Sequence, residues 1–131
     1  MSKSKAIGTR AETKVKRYFN DHGIQCERKA LAGSADEGDL RLFIPDGPEV
    51  TVEVKAGKQT ANYNRTQLDD WKMQTLVESF NSNCPAILIL VRYRRSFEDS
   101  EVWIPNIPES DDRIKAWSMT YIDEFVKTIG G

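Results

Sequence analysis

The longest apolar run in the chain is Ala86-Ile87-Leu88-Ile89-Leu90-Val91. It falls well short of the roughly 18 residues that cross a bilayer. Read as a strand, it points apolar side chains to both sides in turn, so it is stable only with both faces covered. That requirement selects an α/β architecture with helices flanking a mixed sheet. A chain of 131 residues has room for one such domain. The expected division is a core over about 7–105 and an acidic, helical C-terminal extension over 106–131.

The rest of the pattern fits around this strand. Ile7, Ala11, Val15, Tyr18 and Phe19 recur at three- and four-residue steps and predict a helix over 7–22 that ends at Gly23. His22, the only histidine, suits a helix C-terminus and reads as a cap residue. A first strand is expected over 24–30, then a loop over 32–38. Asp39 to Ile44 alternates, with Leu40, Leu42 and Ile44 on one face and Asp39, Arg41 and Phe43 on the other. Pro45-Asp46-Gly47-Pro48 is a turn signal. Val50 to Ala56 then puts Val50, Val52 and Val54 on one face and Thr51, Glu53 and Lys55 on the other. A second helix is expected from about Asn64, with Asn64 and Gln67 spaced as a capping box and Leu68, Trp71, Leu76 and Phe80 as its apolar positions. Glu101 to Ile104 reads as a short strand, and Asp111–Trp117 and Tyr121–Ile129 as short helices. Trp71, Trp103 and Trp117 sit in apolar patterns and read as core.

Net charge is −1, but its distribution is uneven. Residues 1–30 hold eight Lys and Arg against Glu12, Asp21 and Glu27, leaving an acidic remainder. A local basic surface on a near-neutral chain can hold phosphates. Cys26 and Cys84 have no metal-ligand spacing and read as small buried hydrophobes of a reducing compartment. The N-terminus lacks the apolar stretch of a secretory leader. These features lead us to expect a cytoplasmic protein with no membrane association.

The chemistry-bearing stretch is Gly38-Asp39, the hairpin, then Glu53-Val54-Lys55. The hairpin brings the start of one strand beside the middle of the next, so Asp39, Glu53 and Lys55 converge on one side of the sheet. Two crowded carboxylates favour a hard cation, and Mg²⁺ takes carboxylate oxygens while keeping several waters. Such a site can activate water and stabilise phosphate oxygens. Lys55 can orient or deprotonate the attacking water. Glu12, at the margin of the first helix's apolar stripe, can add an auxiliary ligand.

In these residues the chain resembles the PD-(D/E)XK nuclease superfamily, and within it the archaeal-type Holliday junction resolvases and their phage relatives. Glu12 falls where that family has a helix acid, Arg28 and Ser34 match its first-strand arginine and pre-motif serine, Asp39 matches its first motif acid, and Glu53 and Lys55 its (D/E)-x-K element. Gln67 matches a polar residue on the following helix, or serves only the cap. Gly38 replaces the usual proline, and the chain is more acidic than such resolvases. The resemblance implies an αβββαβ core with the restriction-endonuclease-like fold, metal-dependent hydrolysis with Mg²⁺ (or Mn²⁺ in its place), Asp39, Glu53 and Glu12 as ligands, Ser34 positioning phosphate or water, and a homodimer. It implies a prokaryotic or phage-infected host cell.

Several readings follow. The first is a structure-selective DNA endonuclease, resolvase-like, acting on branched or duplex DNA. Its phosphate contacts are expected from Lys3, Arg10, Lys14, Arg17, Arg28, Lys29, Lys58, Arg65 and Gln67. A sequence-specific endonuclease ranks below it, because one small domain leaves little surface to read bases. The alternative class is a catalytically inactive nuclease-fold module that binds DNA or a partner. A third is an interaction protein whose acidic tail meets a basic partner.

Overall fold

The computed structural model describes residues 3–29, 39–106 and 117–130. The described elements are α1 (Lys3–Asp21), β1 (Gln25–Arg28), β2 (Leu40–Phe43), β3 (Glu49–Lys55), α2 (Arg65–Ser82), β4 (Ala86–Leu90), β5 (Glu101–Pro105), β6 (Trp117–Tyr121) and α3 (Ile122–Gly130). The strands form one sheet in sequence order. Only β3 and β4 run parallel, joined by the α2 crossover; every other neighbouring pair is antiparallel.

Strand β4 is buried at every residue, as its apolar run demands. Ile87 and Ile89 join Val50, Val52 and Val54, the α1 residues Ala11, Val15 and Phe19, and the α3 residues Ile122, Phe125 and Val126 in the main core. Leu88 and Leu90 face the other way, into a smaller cluster with Leu68 and Trp71 of α2. The hairpin turns through Asp46 at φ 55, a left-handed position that Asp tolerates. After β3 the chain bends at Gly57, whose φ of 84 suits glycine.

Helix α2 opens with the capping box read from sequence: the Asn64 side chain accepts from the Gln67 N–H, and the Gln67 side chain accepts from the Asn64 N–H. Its buried face departs from the expectation. Leu68 and Trp71 are buried, but so are Lys72, Thr75 and Glu78, while Phe80 is 86% exposed. Phe80 therefore joins Met73 and Val77 in an exposed stripe. Lys72 tolerates burial because its ammonium lies 4.8 Å from the centre of the Trp103 ring and 5.7 Å from that of Trp117. Desolvation lowers its pKa. Trp71 is core as expected, whereas Trp103 and Trp117 are only partly covered.

The C-terminal region also corrects the sequence reading. Trp117 is not the end of a helix but the first residue of β6, which pairs with β5 from Pro105↔Trp117 to Glu101↔Tyr121. Residues 111–116 of the expected helix lie outside the described residues. The last helix begins one residue later than expected, at Ile122. Far from being an appendage, this region gives the sheet an edge strand and the main core three buried side chains. Both cysteines are free, Cys26 buried and Cys84 half-buried. His22 caps as expected, its Nδ1 2.7 Å from the Tyr18 carbonyl oxygen and its ring against Tyr18. None of the described helices is long and apolar enough to cross a membrane.

Candidate active site

The hairpin places the candidate residues as the alternation predicts. Glu53 and Lys55 share the α2-facing side of β3, and Asp39 immediately precedes β2. The Asp39 N–H donates to the Val52 carbonyl (3.0 Å), and the Val54 N–H donates back to Asp39 Oδ2 (2.9 Å). This exchange locks the Asp39 carboxyl against the middle of β3. Lys55 Nζ lies 3.3 Å from Glu53 Oε1. Glu53 is 4% exposed, so its charge and that of Asp39 interact with little screening by water.

The electrostatics record the crowding. Burial first, then the Glu53 charge, push the Asp39 carboxyl up to about 8; the Val54 N–H opposes the shift, while the charge of Glu12 and a hydrogen bond between the Asp39 and Glu12 carboxyls add to it. Glu12 thus does reach the site from the margin of α1. It is also claimed by β1: Arg28 Nη1 lies 2.8 Å from Glu12 Oε2, and Arg28 Nη2 donates to Thr13 Oγ1 at 3.0 Å. Among the described residues, no three His, Cys, Asp or Glu side chains form a ready metal cage. The donor set still suits Mg²⁺, which keeps several waters and needs only one or two carboxylates. Each of the two carboxylates has one oxygen held by protein donors, Asp39 Oδ2 by Val54 and Glu53 Oε1 by Lys55.

Sequence reasoning missed Gln74. Its Nε2 lies 3.3 Å from Glu53 Oε1 and 3.3 Å from Glu78 Oε1. Gln67, the α2 residue picked from sequence, serves the helix cap, seven residues earlier on the chain. Nothing marks Gln74 in the sequence except its four-residue spacing from Glu78, which puts both on one helix face.

The expected phosphate-binding residues divide by location. Ser34 lies outside the described residues, as does the side chain of Lys3. Arg10, Lys14 and Arg17 are exposed on α1, with Arg10 and Lys14 turned well away from Glu12 at 100° per residue. Thr13, Lys16, Arg17 and Asn20 of α1 line an open hollow of about 240 Å³. Lys16, four residues after Glu12, is a further cation beside the expected phosphate-binding set. Lys29 donates its backbone N–H to the Asp39 carbonyl (3.1 Å). Lys58 and Arg65 are exposed on the segment between β3 and α2. That segment is pinned from behind: Arg92 donates to the Thr60 and Ala61 carbonyls at 2.6 and 3.0 Å and pairs with Glu101, which also accepts from Tyr63 (2.6 Å) and Trp103 (3.1 Å).

No family model and no curated protein matches the chain. Among solved structures it is similar to Hjc of Archaeoglobus fulgidus, described as a Holliday junction resolvase from an archaeal hyperthermophile. The TM-score is 0.55 at 17% sequence identity, over 91% of this chain and 99% of that one. The two share a fold, a mixed sheet flanked by helices of the restriction-endonuclease-like kind.

Proposed function

Starting from this resolvase-like fold, we propose that the chain is a divalent-metal-dependent DNA endonuclease selective for branched DNA, as a Holliday junction resolvase is. The single observation that carries the reading is the pairing of half-buried Asp39 with buried Glu53 beside Lys55. Asp39 and Glu53 would hold Mg²⁺ or Mn²⁺, with Glu12 as an auxiliary ligand once released from Arg28. When bound, the ion would supply charge neutralisation at the phosphate and a more acidic water. Lys55 orients the attacking water and can take its proton. Asp39 and Glu53 keep their binding geometry through the Val54 N–H and the Lys55 ammonium. Lys16, Arg17, Arg28, Lys58 and Arg65 would receive the phosphates. Ser34 is assigned to phosphate or water from sequence alone.

One chain carries one such site among its described residues, and a junction presents two strands for symmetrical cutting. The reading therefore pairs two copies. The exposed stripe Met73, Val77 and Phe80 on α2 supports this, since a lone domain gains nothing by leaving it in water. The proposed setting is the cytoplasm of a prokaryotic or phage-infected cell.

The test is cleavage of labelled four-way junction, splayed-arm and linear duplex DNA, with Mg²⁺ and with EDTA, by the wild type and by Lys55→Ala. Metal-dependent cutting that favours the junction and is lost in the variant supports the proposal. Junction binding without cutting under any metal would instead establish a DNA-binding module, and neither binding nor cutting would overturn both.

A further inference from the structure

The carboxylates near the candidate active site do not end with the hairpin. Glu78 lies in α2, fully buried, on the same side of the sheet as Glu53. Between the two stands the amide of Gln74, one nitrogen 3.3 Å from an oxygen of each. An amide nitrogen has two hydrogens and no lone pair to offer. With a carboxylate on either side, both hydrogens are committed and the amide cannot flip without setting its oxygen against Glu53 or Glu78. Glu78 is 0% exposed on α2, whereas Glu53 is the end of the chain of contacts that meets Lys55 and the candidate site. The restraint therefore runs outward, from Glu78 through Gln74 to Glu53.

The consequence falls on one atom. Gln74 and Lys55 both bond Glu53 Oε1. Two donors on one oxygen fix the rotation of the carboxylate about its last bond and leave the second oxygen to a ligand. The geometry assigns Gln74 and Glu78 as positioning residues that preset Glu53 for a divalent cation. The assignment rests on the nuclease reading, because it gives Glu53 the same metal. It adds that the affinity of the site is set partly from α2, by residues that never touch the ion. Partners of this kind typically change metal affinity by about 10–100-fold when removed.

The experiment is a calorimetric Mn²⁺ titration of the full chain, without DNA, on wild type, Gln74→Leu, Glu78→Leu, Glu78→Gln and the Gln74→Leu/Glu78→Leu double variant. Thermal unfolding in EDTA is followed on the same samples, so that lost metal affinity is read only on folded protein. Gln74→Leu should weaken Mn²⁺ binding by about tenfold or more. Glu78→Leu should weaken it in the same direction, and the double variant no further than Gln74→Leu alone, because Glu78 acts through Gln74. Glu78→Gln keeps an oxygen for the Gln74 amide and should stay within about twofold of wild type. Should Glu78→Gln fail as badly as Glu78→Leu, Glu78 acts by its charge and the anchoring role is wrong. Unchanged affinity in Gln74→Leu overturns the inference while leaving the nuclease reading intact. A wild type with no Mn²⁺ site overturns both.

Discussion

Replacing Asp39 by Asn should make the metal-free protein more stable while abolishing its proposed activity. The Asp39 carboxyl titrates near 8 in the folded chain against an ordinary value of 3.8, raised first by burial and then by the Glu53 charge. Between those values the folded state holds a proton that the unfolded state has released. Folding stability therefore falls as pH rises, by about 1.4 kcal/mol per unit. The loss begins near pH 4 and is complete above about pH 8. Of the roughly 6 kcal/mol that the full shift represents, about 4 kcal/mol is lost by pH 7, and relaxation of the site with entry of water brings the expectation there to about 2–4 kcal/mol. The Asp39→Asn side chain keeps an oxygen for the Val54 N–H and cannot ionise, so it escapes this loss. Urea unfolding in EDTA at pH 5, 6, 7 and 8 measures the effect, with the difference between the two proteins isolating this one group. The gap should open steadily with pH. Adding Mg²⁺ should narrow it, because a ligand at a hundredfold excess over its Kd stabilises the wild type by about 2.7 kcal/mol. Parallel pH curves, or a wild type that gains on the variant from pH 5 to 8, would refute the reasoning.

Lys55→Ala should reduce cleavage by about 10²–10⁴-fold at saturating Mg²⁺. It should weaken Mn²⁺ binding far less, since Gln74 still holds Glu53 Oε1 when the Lys55 ammonium is gone; single-turnover cleavage and calorimetry separate the two. Phe80→Glu places a charge in the exposed α2 stripe and should shift the chain from dimer to monomer in light scattering, with an unchanged circular dichroism spectrum. Arg92→Ala strips Glu101 of its cation and the Thr60–Ala61 segment of two donors, so urea unfolding should register about 3–5 kcal/mol of lost stability. A loss under about 1 kcal/mol would mean that the Arg92–Glu101 pair does not hold that segment.

The sequence exposes the chemistry of β3 because period-two alternation is a strict geometric rule. Once the strand is recognised, Glu53 and Lys55 must share a face, and a turn as short as Pro45–Pro48 leaves Asp39 little choice of neighbour. Glu12 was legible for the related reason that it borders a continuous apolar stripe. Helix α2 resists the same treatment. Its buried face carries Lys72, Thr75 and Glu78 beside Leu68 and Trp71, and its most exposed large side chain is Phe80, so apolar periodicity holds in the first turns and fails towards the C-terminus of the helix. Gln74 and Glu78 are ordinary helix-formers until that face is known. Strand β6 was hidden differently. Trp117, Met119 and Tyr121 alternate with Ser118 and Thr120 as a strand should, but the acidic stretch before them invited a helical reading of the whole region. Propensity yields here to pairing with β5, which only the fold reveals.

The lone parallel pair in the sheet gives the site a history as well as a shape. Asp39, Glu53 and Lys55 belong to one hairpin, whose strands meet across a short turn and can pair early. β4 can join β3 only after the chain has closed over residues 56–85, a far slower event because the entropy of closure precedes any contact that rewards it. Helix α2, with Gln74 and Glu78, arrives in that second step. A newly made chain would thus present its two carboxylates and its lysine before it possesses the residues that orient them. Metal offered at that moment would meet a loose site, and tight binding would become a late marker of completed folding, a signal by which the docking of α2 can be timed.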